Sequence, residues 1–147
     1  MKPEIKALIF DCFGVLTAGT WKAFLDGLPE TADITAARDL NRAYDAGMIS
    51  KEDFLHGVKE ATGHEPQQVE ELLAVDITKN IPLLDYIREL KRRGYKIGML
   101  SNIATNSIRD TFLTPEEQAL FDDMVMSFEV GMVKPDPRLF RLACGRL

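Results

Sequence analysis

Cysteine is scarce in this sequence of 147 residues: Cys12 and Cys144 are the only two, and neither sits in a CxxC or a Cys/His spacing. That argues against a zinc site and leaves a reduced, cytoplasmic setting as the expectation. Long apolar runs are also missing. The start, Met1-Lys2-Pro3-Glu4-Ile5-Lys6, is charged and leads into a run of only four apolar residues. Such a run is too short for a signal-peptide core or a membrane span, so no membrane partner is expected. Basic stretches are limited to Lys91-Arg92-Arg93, and the net charge is −5. An acidic balance disfavours nucleic acid as a partner. The basic trio reads instead as a helix C-terminus complementing its dipole. There is no repeat, no low-complexity stretch and no Gly/Ser linker, which favours one domain with at most a small insert.

What is present is ordinary for a globular chain: 46% apolar and 28% charged residues, with enough length to bury a real core. Ala7-Leu8-Ile9-Phe10 is a continuous apolar run ending at Asp11, with Gly14 soon after. It predicts a short strand buried on both faces, as in parallel sheets. Residues 20–79 hold no strand pattern. Helices are predicted over 34–46, over 52–61 with Ser50 and Asp53 as a capping box and Gly63 as the stop, and over 66–73 behind Pro66. A helix–strand unit follows. Asn80 caps, Pro82 suits the first turn, Leu83, Leu84, Ile87 and Leu90 share one face, and Gly94 ends the helix. Residues 96–100 form the next strand, closing at Ser101-Asn102. A helix from about 105 is expected, then a second capping box at Thr114-Pro115-Glu116-Glu117. Asp122-Asp123 reads as loop or strand entry, 124–128 as the third strand, 131–137 as a loop and 138 onward as a helix.

Strands alternating with helices imply a parallel, doubly wound α/β sheet. Ligands bind such sheets at the carboxyl ends of the strands. Asp11, Ser101 and Lys134 should therefore meet on one rim. Alone, Asp11 is a turn or cap residue, Ser101-Asn102 a helix N-cap, and Lys134 a solvated loop lysine. Together they form a chemical set. An aspartate there can attack as a nucleophile, giving an ester or acyl phosphate that water later cleaves. Lys134 supplies positive charge for the transferring oxygens, while Ser101, Asn102 and nearby backbone N–H groups hold them.

Ile9-Phe10-Asp11-Cys12-Phe13-Gly14-Val15-Leu16-Thr17 resembles the first motif of the haloacid dehalogenase superfamily. Gly98-Met99-Leu100-Ser101-Asn102 resembles its second motif. Gly131-Met132-Val133-Lys134-Pro135-Asp136-Pro137 resembles its third, so the likeness spans nearly the whole chain. It implies a Rossmann-like core over 1–18 and 80–147, with a small helical cap over 19–79 inserted after the first strand. Gly47-Met48-Ile49-Ser50-Lys51-Glu52-Asp53-Phe54 is similar to a stretch in the caps of sugar-phosphate phosphatases. The activity implied is a phosphatase acting on a small phosphorylated metabolite through an aspartyl phosphate on Asp11. Its Mg²⁺ would be held by Asp11, the backbone carbonyl of Phe13 and a further acid.

Two departures stand out. The family's second aspartate, its general acid/base, is replaced by Phe13, which cannot transfer a proton. The acidic pair of the family's fourth motif lies downstream of the third, and this sequence stops thirteen residues after Lys134. Asp136 lies too close to Lys134 to stand for it. Missing C-terminal strands, weak Mg²⁺ binding and slow turnover are the resulting expectations. The first strand would then offer an open edge, to be covered by a second copy or by more of a longer parent chain. Two rival readings remain. One is a metal-free 2-haloacid dehalogenase, favoured by Phe13 but not by Val15 or Phe140. The other is an inactive domain kept for binding or assembly.

Overall fold

Three apolar runs become three parallel strands: β1 (Ala7–Phe10), β2 (Lys96–Ser101) and β3 (Asp123–Met126), in the order β1-β2-β3. A computed structural model describes residues 4–74 and 78–147. Met1-Lys2-Pro3 and the part of the expected cap at 75–77 lie outside the described residues. The helices are α1 (Thr20–Asp26), α2 (Ile34–Asp45), α3 (Lys51–Thr62), α4 (Pro66–Leu73), α5 (Ile81–Arg92), α6 (Pro115–Gln118), α7 (Ser127–Val130) and α8 (Pro137–Gly145), with a π-helical turn at Ile108–Phe112.

The pleat of β2 sorts its side chains. Ile97 and Met99 join Leu84, Ile87 and Leu90 of α5 in one core cluster, while Leu100 joins Val125, Leu139 and Ala143 in another. Alternate residues of a strand point to opposite faces, so a helix layer covers each side of the sheet, as the α/β reading requires. Gly98 is on the α8 side. A Cβ there would meet the Leu147 side chain at 2.8 Å, so the missing side chain makes room for Leu147. Helices α1–α4 share a separate apolar cluster of Phe24, Leu25, Ala37, Phe54, Val58 and Val69.

The capping signals act where the sequence puts them. Asn80 accepts from Leu83 N–H, and Ser50 with Asp53 and Thr114 with Glu117 form reciprocal capping boxes. Each box satisfies two helix-end donors that would otherwise lack partners. Lys91 and Arg92 occupy the last turn of α5 and Arg93 its cap.

Three expectations need correction, and one helix is new. β1 is not buried on both faces: Ala7 is exposed and Leu8 to Phe10 are half-buried, because β1 is an edge strand. Among the described residues it pairs with β2 alone. The third strand stops at Met126, since Ser127 and Phe128 turn into α7. The helix expected from 105 begins only near 108, and as a π-helical turn. Residues 20–26 form α1, which has neither a side-chain cap hydrogen bond nor an acidic first turn to signal it.

Asp122, at the entry to β3, staples two strands. Its carboxylate accepts from Ile97 N–H at 2.8 Å and pairs with Lys91 at 2.5 Å. Those two contacts, the Lys91 one foremost, hold its pKa below the usual 3.8. A depressed carboxylate pKa stabilises the fold above the unfolded value and loses that contribution as pH falls through the folded one. Asp122→Ala should therefore cost about 1 kcal/mol at neutral pH. Urea titration of both proteins should show that gap closing as pH drops below 3.8.

Candidate active site

Asp11 follows β1 directly, and the chain folds sharply behind it. Cys12 O accepts N–H bonds from Val15, Leu16 and Thr17 at 3.2, 2.8 and 3.2 Å, and Gly14 N–H donates to Thr17 O at 2.6 Å. Gly14 sits at φ +79°, where a side chain would be strained. This tight turn leaves the Asp11 carboxyl at the carboxyl rim of the sheet. The chain leading into α5 is tied to the same turn, as Asn80 N–H donates to Leu16 O at 2.7 Å and its side chain to Val15 O at 3.1 Å.

Lys134 comes from the loop between α7 and α8, and its Nζ lies 2.6 Å from Asp11 Oδ2. The same ammonium donates to Leu100 O at 3.1 Å. Asn102 grips the Lys134 backbone from both sides: its Oδ1 accepts from Lys134 N–H at 2.8 Å, and its Nδ2 donates to Lys134 O at 3.3 Å. Both ends of the Asn102 amide are thereby used to position Lys134. Ser101 ends β2, is fully buried, and its Oγ has no partner among the described residues. A buried hydroxyl without a partner is costly. Asp11 keeps 39% of its side chain exposed and Lys134 21%, so an incoming molecule can reach the pair.

Cys12, next to Asp11, is not a rival nucleophile. Burial, then the Asp11 charge, push its thiol up to about 12, and only the thiolate is reactive. Phe13 is half-buried and packs against the core cluster around Leu16 and Met99. As a metal site the residues fit poorly. Asp11 Oδ1 already accepts from Cys12 N–H at 2.7 Å while Oδ2 faces Lys134. Among the described residues no group of three or more His, Cys, Asp or Glu side chains is placed to hold an ion. Mg²⁺ asks for near-octahedral oxygen ligands, and one carboxylate with the Phe13 carbonyl falls short of that.

The family model of the haloacid dehalogenase-like hydrolases matches residues 5–147. The chain belongs to this family. Its relatives include the phosphoserine phosphatase of Thermus thermophilus, 31% identical over 104 residues, which cover 67% of this chain and 41% of that protein. The glyceraldehyde 3-phosphate phosphatase of Methanothermobacter thermautotrophicus is 36% identical over 59 residues, covering 40% of this chain and 26% of that one. This chain thus spans less than half the length of these relatives. Among solved structures, an enzyme of the family from Bacteroides thetaiotaomicron superposes with a TM-score of 0.69 at 22% identity, over 97% of this chain and 78% of that one. That likeness carries the fold: the parallel sheet is of the haloacid dehalogenase type. No described helix is long and apolar enough to cross a membrane.

Asp45, at the end of α2, is tied through its backbone carbonyl to Ser127, just beyond β3. Its sequence neighbourhood, Tyr44-Asp45-Ala46-Gly47, marks only a helix end.

Proposed function

We propose that this chain hydrolyses a phosphate monoester of a small metabolite through an aspartyl phosphate on Asp11. The observation that carries this reading is the 2.6 Å Asp11–Lys134 pair at the rim of the parallel sheet. The phosphatase relatives support the substrate class. In the first step an Asp11 oxygen attacks phosphorus and the bond to the ester oxygen breaks. In the second, water attacks the acyl phosphate, releasing phosphate and restoring the carboxylate. Lys134 offsets charge on the transferring oxygens, and Asn102 keeps Lys134 in place. The unpartnered Ser101 hydroxyl can donate to one of those oxygens. No step is routed through a metal, because the residues present do not fit one.

Phe13 favours the second reading, a 2-haloacid dehalogenase in which Asp11 attacks carbon, since that reaction does not need a second aspartate. Incubation with a panel of small phosphate esters and with 2-chloropropionate separates the two. Phosphate release with no chloride is the expected result, and chloride release alone would replace the first reading with the second. Calorimetry with Mg²⁺ in the absence of substrate should give no saturable binding at micromolar concentrations. A tight isotherm would mean that the chain assembles an ion site from other ligands.

A further inference from the structure

With Phe13 where a proton-transferring group would stand, alkoxide leaving groups lack an acid on the turn behind Asp11. A carboxyl group is carried on the segment between β1 and α5 whose backbone meets this rim. Asp45 is the last residue of α2, and its carbonyl accepts from Ser127 Oγ at 2.5 Å. The same Oγ accepts from Ile103 N–H at 2.8 Å, and Ile103 directly follows Ser101-Asn102. Two residues beyond Asp45, Gly47 presses against α7. A Cβ on it would lie 3.4 Å from Phe128 O. The end of α2 is therefore fixed to the segments that leave the carboxyl ends of β2 and β3, on the rim that carries Asp11.

The Asp45 carboxyl has few partners. Its Oδ2 accepts from Asn41 Nδ2 at 2.9 Å. The cation whose charge reaches it is Lys134, the one paired with Asp11. Tyr44, beside it on α2, is the other titratable group that feels its charge. From α7 the Ser127 hydroxyl bonds the Asp45 backbone carbonyl, not its carboxyl, and Glu129 of that helix is turned to Arg109. Burial dominates and pushes the Asp45 carboxyl up to about 7. A group poised there holds its proton half the time at neutral pH, which suits proton transfer in both directions.

We propose that Asp45, carried by the cap, is the proton donor and acceptor of the reaction at Asp11, in place of the acid that Phe13 cannot supply. The proposal rests on the phosphatase reading above. As Asp11 attacks phosphorus and the P–O bond to the leaving group breaks, the leaving oxygen takes the Asp45 proton. As water then attacks the acyl phosphate, its proton passes to the Asp45 carboxylate, which is again neutral at the end of the cycle.

The test uses the full chain and two esters. Glycerol phosphate releases an alkoxide that needs a proton, whereas p-nitrophenyl phosphate releases a stable phenolate. Asp45→Asn should lower turnover of the first by about 10²- to 10⁴-fold and of the second by far less. With glycerol phosphate the wild-type rate should fall as pH rises through about 7, and that limb should vanish in the variant. Carbon-13 NMR of the Asp45 carboxyl should show titration near this pH, moving upward in Lys134→Met as the positive charge is lost. Equal losses on both esters, no loss on either, or a titration indifferent to Lys134 would overturn the assignment. Undiminished turnover in Asp11→Asn would instead overturn Asp11 as the nucleophile, and the Asp45 role with it, while phosphate release from neither ester would overturn the phosphatase reading itself.

Discussion

Asparagine in place of Asp11 is expected to remove phosphate release almost entirely, by at least about 10³-fold. The amide keeps the shape of the side chain and can still face Lys134, so the fold is left intact while the nucleophile is gone. Lys134→Ala should act more mildly, by about 10²- to 10³-fold. It removes the cation that lies 2.6 Å from Asp11 Oδ2, and with it the tether to Leu100 O at 3.1 Å. The two losses should not multiply in the double variant, because without a nucleophile there is no transferring charge for Lys134 to offset. Phosphate release measured on all three proteins decides the matter. Wild-type rates in the Asp11 variant would move the chemistry away from β1 altogether.

What could be read without coordinates was whatever depends on neighbours in sequence. The run Ala7 to Phe10, the Asn80-Pro82 start of α5 and the boxes at Ser50/Asp53 and Thr114/Glu117 are local patterns, and each formed the element it predicts. Asp11 and Lys134 could be paired ahead of time because the motifs fix which strand end each one follows. The errors share a different cause. Met124 to Phe128 has the composition of a strand, yet Ser127 is drawn out of it by hydrogen bonds to Ile103 and Asp45, which lie 24 and 82 residues away. No window along the chain contains those partners. The same holds for the π-helical turn at Ile108–Phe112. Arg109 in it reaches the Glu129 carboxylate and the Met124 carbonyl, partners that no local window contains. Asp45 carries no signal in its sequence neighbours for this reason too: burial raises its pKa against the opposing charge of the distant Lys134. β1 was misjudged through its composition, which records an apolar strand but not how many strands flank it.

Phe54→Ala should have the largest effect on stability, and should reveal whether the cap folds as its own unit. Phe54 is 1% exposed, stacks on Tyr44 at 4.7 Å and meets Trp21 at 5.8 Å. Replacing a buried phenyl ring by a methyl group costs about 3–5 kcal/mol, through lost transfer energy and the cavity left behind. That is a large part of the roughly 5–15 kcal/mol that holds a domain together. The loss falls on the cluster shared by α1–α4, which is separate from the clusters on the two faces of the sheet. Trp21 is the only tryptophan in the chain and packs in that cap cluster, so its fluorescence follows the cap alone. Far-UV circular dichroism follows cap and sheet together. In urea, the fluorescence transition of the variant should move to much lower concentration, while a later dichroism transition persists for the sheet and its helices. If both probes shift together and stay superimposed, cap and sheet unfold as one cooperative unit. In that case contacts such as the hydrogen bond of Ser127 to Asp45 couple the two parts more strongly than their separate cores divide them.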